Sequence, residues 1–545
     1  MEWSMQMNAE NKKNPGIVWR NTISLQELLF CLFFGILLFA KGIGLYDGQG
    51  IFKVFLLLAF LCWFGKMLIS SHTVMEDGII ALLVAIGLLV WHFSGEKAAL
   101  ISVLVVTGMK DVSVKRVFQT GLVVWTACFA GTICLALTGV IEPLMLVHNK
   151  AGMGFVIRNS LGYTHPNVLH ISFVILISFW FYFYAKSKKG TLAATALAFV
   201  GNIYIFLYSL SYTGFIVTTA YLILLTYFSL RSERTKAENV IIQCLMPLCV
   251  LTSLLAPHLL KGRIFELADK LVNTRFTLTR RALIVSNLSL FGKRIDIGEG
   301  SVDCSYVYCL LYYGIILFGI FMIGYFLLIR HLLKENRTRE LALVLGLVAA
   351  GFTEPFQFNF SFKNLILPFL GEYLFVLTKY LDGKFLLANK AICLFPCQKA
   401  VKLPGIATLP HLGKLVKSIW KKAGICIFTG CLIGGIMGAS VGWLFIEVKP
   451  YVVVDRKYSD RVGRKEDFEI FGELPEEIVE NSMQIHCTGP DAHVYVFEGG
   501  NMQRLERVRN SVSCGAAGMI IAGIGGCWIG NIKYQRKRIR NLNDI

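Results

Sequence analysis

Long runs without a charged side chain recur along this chain, among them 117–141, 190–230, 304–329, 423–446 and 510–532. A helix needs about 20 apolar residues to cross a bilayer, and it satisfies its own backbone hydrogen bonds as it does so. Such runs exclude a soluble globular domain and require several membrane-crossing helices. The averages agree, with 55% hydrophobic residues and a mean hydropathy of +0.60.

Apolar runs and their breaks place spans near 22–44, 51–70, 77–93, 97–109, 117–141, 166–185, 191–208, 213–229, 240–258, 304–329, 340–353 and 364–381. Two more follow, at 423–446 and 512–530. The expected fold class is an all-α polytopic membrane protein of about 12 transmembrane helices, with 2 C-terminal helices flanking a small α+β outer domain. The domains are a cytoplasmic N-terminus (1–21), a polytopic membrane domain (22–381), a basic cytoplasmic linker (382–422) and a C-terminal module (423–545) with its outer domain at 447–511. In that outer segment YVVVD, FEIF, MQIHC and HVYVF read as short strands, and GNMQRLERVRNSV as a helix entering the membrane.

The charge is +19, from 54 Lys+Arg against 35 Asp+Glu. These cations sit at span ends. KDVSVKR (110–116), KSKKG (186–190), RSERTK (231–236) and RHLLKENRTR (330–339) alternate with loops that carry at most one Lys. That is the positive-inside pattern and not a nucleic-acid stripe, and it puts both termini in the cytoplasm. No cleavable signal peptide is expected, because the start is polar and lacks a small-residue cleavage site. The 15 Cys show no metal-ligand spacing, although Cys487 and Cys514 share the predicted outer side and could pair.

One outer loop, 258–303, breaks the charge rule with eight Lys and Arg residues. It reads either as an amphipathic helix lying on lipid head groups or as a cradle for an anionic substrate. The final two spans carry small residues four apart: Gly430, Gly434, Gly438 and Gly442, then Gly518, Ala522, Gly526 and Gly530. Such ladders let helix backbones approach closely, here either each other or further copies of the chain.

Four outer elements carry chemistry. In RNSLGYTHPN (158–167), Arg158 offers a planar fork suited to phosphate oxygens. His165 can shuttle a proton or merely cap the helix that Pro166 opens. NTRFTLTRRALI (273–284) holds Arg275 and Arg281, which cannot both face lipid on a short helix without cost. Asp303 stands at the mouth of an uncharged span, where an acid is expensive unless used or paired. TEPFQFNFSFKNL (353–365) brings Glu354 and Asn359, and Glu354 can act directly or pair with an Arg.

Taken together, R-x-S-L-G-x-x-H-P-N, an Arg-bearing loop before Leu290-Phe291-Gly292, D-x-S-Y at a span start with a Gly further on, and an outer loop with Glu and Asn resemble the bacterial repeat-unit polymerases of O-antigen and capsule synthesis, relatives of the O-antigen ligases. The chain departs from the pattern twice. Ser211-Tyr212-Thr213-Gly214 stands where members often have S-R-T-G, and Asp303-Cys304-Ser305-Tyr306 where they often have D-N-S-Y.

The resemblance implies transfer of a growing glycan from an undecaprenyl-diphosphate carrier to the next lipid-linked repeat unit, at the outer face of the bacterial cytoplasmic membrane. It implies no cofactor and no metal. Arg158 and Arg275, with Arg281 in support, would meet the diphosphate; Asp303, or else His165, would accept the attacking hydroxyl. Asn167, Tyr306, Glu354 and Asn359 fall in the same motifs and are assigned to substrate binding. A ligase passing finished glycan to another acceptor shares the pattern, and a lipid-linked glycan flippase or transporter is a third reading. Expected partners are the membrane, the lipid-linked oligosaccharide, and a chain-length regulator, a flippase or further copies of the chain. The C-terminal module itself is similar in layout to chain-length regulators.

Overall fold

A computed structural model describes residues 22–141, 145–150, 154–184, 187–231, 233–272, 274–295, 302–382, 391–395, 400–402, 409–446, 448, 451–455, 492–496 and 501–543. Every apolar segment in the sequence becomes a helix. In chain order these are α1 (Leu25–Gly42), α2 (Gly50–Ile69), α3 (Val74–Ser94), α4 (Lys97–Thr107), α5 (Val114–Leu137), α6 (Pro166–Tyr184), α7 (Lys188–Ser209), α8 (Tyr212–Leu230) and α9 (Lys236–Leu259). The short α10 (Gly262–Leu271) and α11 (Arg275–Val285) follow, then α12 (Ser305–Lys334), α13 (Thr338–Gly351), α14 (Leu367–Asp382), α15 (Leu409–Leu444) and α16 (Asn501–Asn543). The protein is a mostly helical, multi-pass membrane protein, and eleven of the described helices are long and apolar enough to cross a bilayer.

Three of the apolar segments are too short to cross alone. α4, α13 and α14 have 11, 14 and 16 residues. At 1.5 Å per residue the 14 residues of α13 reach only about 21 Å. It is wrapped by protein instead, with Leu341 to Leu345 fully buried. Gly346 makes room there, since a Cβ would meet the Tyr221 ring of α8 at 1.9 Å.

Local chemistry sets the helix ends. Ser24 caps α1, and Thr73–Glu76 and Thr235–Glu238 form reciprocal capping boxes on α3 and α9. α12 contains a π-helical stretch at Cys309–Tyr313, and there two glycines meet. A Cβ on Gly292 would lie 2.0 Å from the Tyr312 carbonyl, and one on Gly314 2.3 Å from the Gly292 nitrogen. Both hold positive φ, so only glycine lets the 289–292 strip hydrogen-bond to Ile315 and Ile316.

Contacts sort the helix ends into two groups. One end gathers 22–24, 68–73, 113–116, 391–395 and 400–402, through pairing of β1 (Thr22–Ser24) with β6 (Ala400–Lys402), pairing of β2 (His72–Thr73) with β5 (Ala391–Ile392), the Phe395 N–H on the Leu68 carbonyl, and Arg116 on Thr22 and Glu27; Arg234 in turn donates to Asn336. The other gathers 158–167, 207–213, 275, 303–305 and 354–364. The basic loop 110–116 falls in the first group and the motif residues Arg158, Arg275, Ser305 and Glu354 in the second.

Some elements differ from the sequence reading. β3 (Met145–Lys150) and β4 (Gly154–Asn159) form an antiparallel hairpin with Arg158 one residue from its open end, where no strand is expected. The basic outer loop holds two short helices, not one. α15 starts at Leu409, inside the segment read as a linker, and ends at Leu444; α16 includes the expected helix ahead of 512–530 and runs on past it to Asn543. Of the outer segment, YVVVD pairs antiparallel with AHVYV (Tyr451↔Val496), while FEIF and MQIHC lie outside the described residues. So do the N-terminus 1–21, Asn273 and Cys487; Cys514 is a free thiol.

Candidate functional site

Arg158 closes the β3–β4 hairpin and turns inward, 7% exposed. Its Nε donates to the Ser209 carbonyl (2.7 Å) and its Nη2 to Asn167 Oδ1 (2.8 Å). Asn167 Oδ1 also accepts from Ser211 Oγ (2.9 Å). The guanidinium thus ties the hairpin to the start of α6 and to the sharp α7–α8 connection. That connection needs Leu210 at φ 43 and Gly214 against the His170 ring, where a Cβ would approach to 2.6 Å.

His165 serves the helix start. Pro166 has no N–H, and the first free donor of α6, the Asn167 backbone N–H, goes to His165 Nδ1 at 3.1 Å. The neutral ring then carries its proton on Nε2. Below it, fully buried His170 bridges Ser209 Oγ (2.9 Å) and Asn202 Oδ1 (3.3 Å), bracing α6 against α7.

Arg275 opens α11, where the helix dipole disfavours a cation. Glu354 offsets that: Arg275 Nη2 lies 2.7 Å from Glu354 Oε1, with both side chains under a tenth exposed. Nη1 makes long contacts of 3.4 Å to Thr213 Oγ1 and the Val272 carbonyl, and Nε is buried without a partner among the described residues. The Glu354 carboxyl is pushed up to about 7 because burial penalises its charge. Arg275, Lys363 and Arg158 pull it down, and Asp303 adds repulsion. Those five charges share one field. Burial likewise lowers Arg158, to about 10, with Glu354 opposing, so it stays a cation at neutral pH.

Ser305 joins the last two motifs. Its Oγ donates to the Glu354 carbonyl (2.6 Å) and accepts the Gln357 N–H (3.3 Å). Asp303, two residues earlier, is half-buried at the α12 mouth.

Of the residues singled out in the sequence, the structure brings together Arg158, His165, Asn167, Arg275, Asp303 and Glu354. Tyr306 is fully buried and its hydroxyl donates to the Val348 carbonyl (2.5 Å), so it fastens α12 to α13. Arg281 is exposed on α11. Asn359 accepts the Ser361 N–H (3.1 Å) and lines a small cleft with Lys41, Phe52 and Phe360. Sequence reasoning missed Ser209, Ser211, Thr213, His170 and Lys363. Ser211 and Thr213 lie in the segment whose missing Arg drew notice, and they reach Asn167 and Arg275 nonetheless.

Chemically, this end of the bundle offers guanidinium donors in a poorly solvated setting and two carboxyl groups of unequal exposure. It can hold an anion and orient a hydroxyl. Among the described residues no group of three or more His, Cys, Asp or Glu is placed to hold a metal ion. No family model, curated protein or solved structure matches this chain.

Proposed function

We propose that this protein polymerises glycan repeat units carried on undecaprenyl diphosphate, at the outer face of a bacterial cytoplasmic membrane. The observation that carries the reading is that Arg158 and Arg275 both reach the 209–213 segment, with Glu354 paired to Arg275, from stretches nearly 200 residues apart and at the end away from the basic 110–116 loop. By charge alternation that end faces outward, and the fourteen apolar helices all serve as membrane segments.

The acceptor sugar hydroxyl attacks the anomeric carbon of the donor glycan. A new C–O bond forms while the bond to the lipid diphosphate breaks, and the diphosphate leaves with the electron pair. Arg158 and Arg275 stabilise charge as it builds on the leaving oxygen. The hydroxyl proton passes to Asp303, whose partial exposure suits a sugar arriving from the aqueous side. Glu354 holds Arg275 in place, and His165 caps α6.

The test is the surface-glycan ladder of a strain lacking this gene. Loss of all material beyond one repeat unit supports polymerisation. Accumulated lipid-linked polymer would reassign the protein as a ligase, and repeat units trapped on the inner leaflet as a flippase.

A further inference from the structure

Two arginines from distant parts of the chain share the last three carbonyls of α7. The Leu210 N–H closes the final turn of that helix on the Phe206 carbonyl at 2.8 Å. Leu207, Tyr208 and Ser209 follow, and their carbonyls lie at the pole where the helix dipole favours cations. Arg158 takes the third, Ser209, through Nε. Arg509 of α16 takes the other two, with Nε on Leu207 (2.7 Å) and Nη2 on Tyr208 (3.2 Å). Arg509 is 3% exposed, and its guanidinium carbon lies 5.6 Å from the centroid of the Tyr208 ring. Glu506, one turn earlier in α16, pairs with its charge, and the Ser513 hydroxyl, one turn later, meets that of Tyr208.

The next residue of the connection is the strained one. Leu210 holds φ 43, a left-handed conformation that a residue with a Cβ resists. Such a conformation persists only where the surroundings over-determine it. Leu210 stands between the two acceptors of Arg158: the Ser209 carbonyl precedes it, and Ser211, which follows, donates to Asn167 Oδ1. Release of the α7 end from Arg509 frees this turn to relax, and relaxation redirects both acceptors.

We propose that Arg509 is a positioning residue for Arg158, fixing the end of α7 so that the Arg158 guanidinium is aligned for the lipid diphosphate. This rests on the lipid-diphosphate reading above and adds a residue of the C-terminal module, which that reading does not use. Arg509 acts through Arg158, since its own donors are spent on the α7 carbonyls and on Glu506.

The full chain in lipid nanodiscs is titrated with undecaprenyl diphosphate, in the native background and in Arg158→Lys. Arg509→Gln should weaken binding by roughly tenfold in the native background, the range of one charge-assisted hydrogen bond. In Arg158→Lys the planar fork that Arg509 aligns is gone, and the same change should cost little, because residues that act through one another are not additive. Equal losses in the two backgrounds would overturn the proposal and leave Arg509 a support of the fold alone. Native affinity in Arg509→Gln would overturn it as well, with the functional reading intact. If the native chain does not bind the lipid, that reading falls and takes this one with it. Should Arg509→Gln fail to fold, Arg509→Lys, which keeps the cation and loses the fork, is compared in the same two backgrounds. A loss confined to the native background supports the proposal, and an equal loss or none overturns it.

Discussion

The helical bundle and the C-terminal hairpin solve the same problem, helix association in lipid, by opposite means. In the bundle, polar side chains cross between elements: Trp125 to the Ser172 carbonyl, Ser178 to Tyr221, and Tyr313 to the Phe358 carbonyl. In the hairpin, backbones touch. A Cβ on Gly434 would lie 2.2 Å from the Gly518 carbonyl oxygen, and one on Gly438 the same distance from that of Cys514. The two glycine ladders face each other, so association with further copies would have to use other faces. Polar cross-links specify a unique arrangement and can be turned to chemistry; small-residue contact specifies only proximity. The site lies where the first kind is dense.

The two regions meet at the end of α7, where the Tyr208 and Ser513 hydroxyls hydrogen-bond and Arg509 forms a latch. Arg509 of α16 donates through Nε to the Leu207 carbonyl (2.7 Å) and through Nη2 to that of Tyr208 (3.2 Å). The next carbonyl, Ser209, is the one held by Arg158. The end of α7 thus carries a tail arginine and a site arginine on three successive carbonyls.

The largest expected effect lies in the bundle. Glu354→Ala strands buried Arg275 and should cost about 3–5 kcal/mol, the usual consequence of removing one member of a buried pair. A thermal-unfolding shift no larger than that of a surface substitution would mean that water reaches the guanidinium. Next comes Asp303→Asn, which keeps size but removes the proposed base. Polymerisation in purified protein should fall ~100-fold or more with unfolding temperature unchanged; near-native rates would leave Asp303 without a proton-accepting role.

Arg158→Lys and Arg275→Lys keep charge and lose the planar fork, so each should weaken turnover by roughly tenfold. Both variants polymerising normally would remove the arginines from the diphosphate.

A pH effect of similar size follows from Glu354. Its folded value, about 7, lies above the ordinary 4.5. Between those values the folded chain keeps a proton that the unfolded chain has released. Stability from this group is therefore fullest at low pH and declines as pH rises through the window, by at most about 1.4 kcal/mol per pH unit. Lys363, lowered to about 7, contributes only above that range, where stability rises with pH. Glu354→Gln should flatten the acidic slope; an unchanged slope assigns it to another carboxyl.

The smallest effect on the site should come from the hairpin. Gly434→Val forces the backbones apart at the 2.2 Å contact. Bond formation should stay within about threefold of native, as expected for a substitution that shares no partner with the site, while the distribution of product lengths shifts. A collapse of turnover would show that the Arg509 latch is needed to hold Arg158. An unchanged distribution would reduce the hairpin to an anchor.

Sequence alone determined the class of molecule, because uncharged runs of this length admit only helices in a membrane and the Lys/Arg alternation orders their ends. It also singled out most of the polar residues that the fold gathers at one end. Arg158, Asn167, Asp303, Arg275 and Glu354 are conspicuous because charge and amide groups are costly where they stand. What it could not reveal depends on distance across the chain. Nothing local to Tyr306 tells that its hydroxyl will find the Val348 carbonyl, and nothing local to Arg281 tells that the α11 helix will turn it outward. The β3–β4 hairpin exists only by pairing, Met145 opposite Asn159 through Lys150 opposite Gly154, which neither strand announces by itself. Lys363 looks like an ordinary loop lysine until the fold buries it near the Trp125 ring. Only tertiary structure decides which costly groups satisfy one another, because their partners lie far along the chain.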